Sequence, residues 1–148
     1  MRKVYFVITV LLLISVVIQF YFAALGVFGP QGEDDNLFGF HRINGSAVLP
    51  LLSVLAVVFA AVSRAGARTV WLSALPILLI AVQYLIFIVG GLVGGGDEDT
   101  PTVGSAIILG VHALNGLAIM GTILTLMSRA RARAFGKDDV SGGAPTTA

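Results

Sequence analysis

Hydrophobic positions run together in four blocks, at residues 4–28, 38–62, 70–93 and 103–128. Polar positions gather in the short gaps between them and at the two ends. Each block exceeds 20 residues, enough to cross a hydrocarbon core of about 30 Å at about 1.5 Å per residue. Lipid offers no partners for backbone N–H and C=O groups, so a spanning segment has to satisfy them internally, and these blocks are expected to be helices. The first block follows Met1-Arg2-Lys3 and resembles the start of a secretory signal. Its apolar run is longer than a signal core and no small-residue cleavage pattern follows, so it is expected to stay as a helix.

The gaps, 29–36, 63–69 and 94–102, are short. Such links make sequential helices antiparallel neighbours, and the expected fold is an all-α, up-down-up-down four-helix transmembrane bundle forming a single domain over 1–137. The stretch 138–148, rich in Gly, Ser, Thr and Pro, is expected to be a disordered tail. Pro50 and Pro76 fall inside the second and third blocks and should kink them. Tyr5, Phe6 and Trp71 at one boundary, with Tyr21 and Phe22 toward the other, read as an aromatic belt.

Charge orients this bundle. Of the nine basic residues, Arg2, Lys3, Arg64, Arg68, Arg129, Arg131, Arg133 and Lys137 all fall on one side of a four-span hairpin, leaving only Arg42 on the other. The opposite links carry Glu33, Asp34, Asp35, Asp97, Glu98 and Asp99. The positive-inside rule then puts both termini in the cytoplasm, with the protein in the cell inner (plasma) membrane. Composition agrees: 57% of the 148 residues are hydrophobic and 11% charged, against roughly 25% charged in soluble domains. The net charge of +1 argues against a nucleic-acid partner. With no cysteine there is no disulfide, thiolate metal site, iron–sulfur cluster or covalently attached haem.

The chain repeats itself. His41-Arg42-Ile43-Asn44-Gly45-Ser46-Ala47 and His112-Ala113-Leu114-Asn115-Gly116-Leu117-Ala118 share the pattern H-x-x-N-G-x-A, and Val17-Ile18-Gln19-Phe20 corresponds to Ala81-Val82-Gln83-Tyr84. Both hairpins start on the same side, so the halves are expected to be parallel repeats.

Polar groups inside a membrane are where chemistry is sought. Positions i, i+3 and i+4 share a helix face, which groups His41 with Asn44 and Gly45, and His112 with Asn115 and Gly116. These are the two histidines of the chain. One expectation is that they ligate a haem b from opposite faces. Gly45 and Gly116 would admit the macrocycle edge, Arg42 would neutralise a propionate, and Gln19 and Gln83 would support the imidazole N–H groups. Asn44 and Asn115 complete the candidate site. The alternative is a non-catalytic membrane subunit or accessory protein in which His, Asn, Gln and Gly only hold helices together. Depth sets a condition on the haem. His112 precedes Arg129 by 17 residues and His41 precedes Arg64 by 23. If both helices end level at those bases, the rings sit about 9 Å apart in depth. The helices contain no acid pair and no Ser/His/Asp or HExxH arrangement, so hydrolysis is unsupported, and the lack of a buried acid argues against proton transport.

On the basic start, Val-Ile-Gln-Phe, Phe38-Gly39-Phe40-His41-Arg42 and Gly110-Val111-His112-Ala113-Leu114-Asn115-Gly116, the chain resembles a family of small, uncharacterised four-helix bacterial membrane proteins. That resemblance implies the fold and the membrane and carries no established activity. More loosely, the Phe-x-His-Arg and Gly-x-His segments look like those of b-type haem proteins of the haem A synthase type. This likeness adds to the haem reading, and the leading expectation is a small haem b protein that passes electrons to or from a quinone or a membrane redox partner in the lipid bilayer, with His41 and His112 as axial ligands. The glutamate that accompanies some haem A synthase histidines has no counterpart here, so that catalysis does not carry over.

Overall fold

The computed structural model describes residues 1–29, 36–93 and 102–136; among them there is no strand. Helix α1 is Arg2–Phe28. The second span consists of α2, Asn36–Ile43, a π-helical turn, Asn44–Val48, and α3, Leu49–Val62. Helix α4 is Ala67–Val93 and α5 is Val103–Phe135. Among the described residues, four helices are long and apolar enough to cross a membrane, and they hold 27, 26, 27 and 33 residues. Even the shortest is about 39 Å long, more than a hydrocarbon core of about 30 Å requires. The chain is therefore a multi-pass membrane protein. The acidic links, Lys137 and the expected tail lie outside the described residues.

Packing follows from residue size. Helices α3 and α5 each pack against both α1 and α4, closing a four-sided bundle. Tyr5, Ile8, Leu12 and Val16 recur every three to four positions and bury one face of α1. They meet small residues, Ala56, Ala60 and Ala130, which let backbones approach closely. The large side chains on the outer faces, such as Leu11, Leu51, Leu85 and Leu114, are exposed where lipid would lie. Tyr5 departs from the belt expectation: it is only 1% exposed, and its hydroxyl lies 2.9 Å from Ser73 Oγ on α4, across the bundle. Ser73 in turn donates to the Thr69 carbonyl at 2.9 Å, so the Tyr5 hydroxyl is the donor to Ser73. Trp71, 75% exposed, keeps the outward position expected of a belt residue.

Two local features differ from a run of plain α-helices. Pro50 has no N–H, and its ring would collide with the Ser46 carbonyl one turn back. The chain answers with the π turn, closed by Leu49 N–H bonding the Asn44 carbonyl, five residues back. Pro76 leaves α4 unbroken. The second feature is the length of α5, which runs through its basic cluster to Phe135 instead of stopping at residue 128. Ala and Arg are good helix formers, and the extension has partners. Phe135 meets the edge of Phe6 at 5.3 Å and lies under the Lys3 ammonium, 6.0 Å away. Arg133 Nη2 donates to the Arg64 carbonyl at 2.8 Å, where Arg64 turns the chain at φ 54°. Thr102 starts α5: its hydroxyl accepts from Ser105 N–H, and Ser105 Oγ accepts from the Thr102 N–H.

Candidate functional site

Each half of the bundle builds a chain of polar side chains in its own helix pair. In the first, Ser15 and Gln19 stand one turn apart on α1, opposite Asn44 and His41. Ser15 Oγ donates to Asn44 Oδ1 at 2.8 Å. Asn44 Nδ2 donates to the Ser15 carbonyl at 3.0 Å and to Gln19 Oε1 at 2.7 Å. Gln19 Nε2 donates to the His41 main-chain oxygen at 3.0 Å and lies 3.2 Å from His41 Nε2, while His41 Nδ1 is 3.1 Å from the Gln19 carbonyl. One residue thus clasps the imidazole at both nitrogens.

The second relay runs from α4 to α5. Asn115 Nδ2 donates to the Leu79 carbonyl at 2.9 Å and to Gln83 Oε1 at 2.6 Å, and Gln83 Nε2 donates to His112 Nδ1. Gln83 follows Gln19, and Leu79 follows Ser15, by 64 residues; Asn115 follows Asn44, and His112 follows His41, by 71. Both asparagines therefore anchor on the main-chain oxygen at the same relative position. Where Ser15 adds a hydroxyl, Leu79 has none. Asn44 is buried and Asn115 half-buried.

The relays bring the imidazoles together. Their ring centroids are 6.0 Å apart with the planes at 56°. The depth offset expected from the basic clusters does not arise, because α5 continues to Phe135. His112 precedes that residue by 23 positions, the same count that separates His41 from Arg64. Aromatic rings flank the pair: Phe38 lies 5.5 Å from His41 and Phe87 4.8 Å from His112. A Cβ on Gly45 would come within 2.7 Å of Gln19 Nε2, so this glycine leaves room for the amide. A Cβ on Gly116 would meet Phe20 Cζ at 3.4 Å, an ordinary contact. Arg42 is exposed. Among the described residues no group of three or more His, Cys, Asp or Glu could hold a metal ion.

The structure thus gathers Gln19, His41, Asn44 and Gly45 in one cluster and Gln83, His112, Asn115 and Gly116 in another, with the two rings adjacent. Sequence reasoning missed Ser15, which the spacing of one turn from Gln19 could have revealed, and the flanking Phe38 and Phe87. It expected the glutamines to support imidazole N–H groups, but their side-chain nitrogens, not their oxygens, face the rings.

Among known proteins, residues 19–90 match a family described as Family of unknown function (DUF6220). That segment includes Gln19, His41, Asn44 and Gln83, but begins after Ser15 and ends before His112. The chain is thus similar to an uncharacterised family. No curated protein and no solved structure matches it.

Proposed function

We propose that the chain is a small haem b protein that passes electrons within the membrane, with His41 and His112 as axial ligands. The observation that carries this reading is the approach of the two rings to 6.0 Å from separate helices. Rings that approach so closely from two helices would together hold the iron of one haem. Phe38 and Phe87 supply apolar surface that keeps water from the rings, and Gln19 and Gln83 fix ring orientation. Arg42 would pair with a propionate, and a quinone or a membrane redox partner would exchange the electron. Haem supplies one-electron chemistry when bound.

The test is optical. Protein purified in detergent from haem-replete cells should be red, with a low-spin Soret spectrum that each of His41→Ala and His112→Ala abolishes. A colourless, folded preparation overturns the reading. It would favour the second one, a non-catalytic membrane subunit or accessory protein, for which there is a specific observation: the side-chain amides of both relays are already bonded within their own helix pairs.

We further infer an up-down-up-down bundle of two duplicated hairpins in a bacterial inner membrane, with both termini cytoplasmic. The matching relays support the duplication, and the segregation of basic residues supports the orientation. Because the chain lacks cysteine, single replacements report sidedness. An impermeant maleimide added outside intact cells should label Gln31→Cys and spare Ser63→Cys; the reverse pattern overturns the orientation.

A further inference from the structure

We infer that the two relays hold the imidazoles in opposite tautomers, His41 protonated on Nδ1 and His112 on Nε2, so that the paired rings are chemically unlike. A main-chain carbonyl can only accept a hydrogen bond, and this fixes which end of each amide faces it. In the first relay the Ser15 carbonyl holds Asn44 Nδ2, and Ser15 Oγ donates to Oδ1 on the other side. The second Asn44 hydrogen goes to Gln19 Oε1, which leaves the Gln19 nitrogen facing the ring. That nitrogen is a donor, so His41 Nε2 carries the lone pair. His41 Nδ1 faces the Gln19 carbonyl, which accepts, so Nδ1 carries the proton.

The same reasoning gives the other answer in the second relay. The Leu79 carbonyl holds Asn115 Nδ2, whose second hydrogen goes to Gln83 Oε1, and the Gln83 nitrogen donates to His112 Nδ1. The lone pair of His112 therefore sits on Nδ1 and its proton on Nε2, which hydrogen-bonds nothing among the described residues. The difference comes from which ring nitrogen each glutamine reaches.

Metal-binding imidazoles commonly donate their second N–H to a carbonyl or carboxylate. His41 already has that arrangement, with its Nε2 capped only by the Gln19 amide. His112 instead presents an N–H donor until its relay is rearranged. Resting on the haem reading above, this makes His41 the primary ligand and His112 the secondary, displaceable one. Gln19, Gln83 and Asn115 are positioning residues.

Nitrogen NMR of the full chain with labelled histidine, in lipid nanodiscs and without haem, tests the tautomers directly. His41→Ala and His112→Ala assign the two signal sets. One ring should be protonated at Nδ1 and the other at Nε2. Asn115→Leu should turn the His112 signals into a mixture of both tautomers while leaving those of His41 in place. Gln19→Met should leave His41 protonated at Nδ1, because its acceptor is the main chain. Equal tautomers in the wild type, or a His112 state indifferent to Asn115→Leu, overturn the inference. With haem added, His112→Ala should retain pigment in a five-coordinate form and His41→Ala should lose it; the opposite ranking overturns the ligand order. Failure of the wild type to take up haem sinks the proposed function and leaves the tautomer result standing.

Discussion

The Ser15–Asn44–Gln19–His41 relay and the Leu79–Asn115–Gln83–His112 relay share their asparagine, glutamine and histidine at the same relative positions, yet they are not equally robust. The first has an extra hydroxyl, a buried asparagine and an imidazole held at both ring nitrogens. The second has a leucine in place of the serine, a half-buried asparagine and an imidazole held at one nitrogen. Two relays with matching amides and imidazoles can therefore differ in what they contribute to stability. The π turn before Pro50 adds to the difference, since the first asparagine begins it and α5 has none.

Substitutions at matched positions should separate the halves. The largest gap is expected between Asn44→Leu and Asn115→Leu. Losing Asn44 strands the Ser15 hydroxyl and Gln19 Oε1 in the interior, costing about 2 kcal/mol; losing Asn115 should cost about 1 kcal/mol. Reversible unfolding in mixed micelles measures both, and equal losses would break the comparison. Next come the glycines. Gly45→Ala pushes a methyl against the Gln19 nitrogen and should destabilise by about 1 kcal/mol, whereas Gly116→Ala should change stability by less than about 0.5 kcal/mol. Last comes Ser15→Ala, a modest loss of about 0.5 kcal/mol. It should be non-additive with Asn44→Leu in a double-mutant cycle, because both changes remove the same hydrogen bond.

Much of the fold was legible because hydropathy is a strong signal in lipid: all four helices lie where the apolar blocks are. The overrun of α5 was not, since arginine ends an apolar pattern without ending a helix. Tyr5 was misplaced for a related reason. Tyrosine suits a boundary or a core equally well, and its partner Ser73 lies 68 residues away, on a helix whose position the sequence does not give. In the site, the i, i+3, i+4 rule put each histidine, asparagine and glycine on one face. The amide orientations were hidden because the groups that set them are the main-chain carbonyls of Ser15 and Leu79, and every residue has a carbonyl.

The polar contacts of each relay are closed within a single helical hairpin, and this bears on biogenesis. As the ribosome delivers the first two spans to the translocon, Gln19, His41 and Asn44 can saturate one another before the third is synthesised, so that hairpin can partition into lipid without stranded amides. The second can do the same. Among the described residues, the Tyr5–Ser73 and Arg133–Arg64 bonds must wait for both halves, which makes them markers of the final docking step.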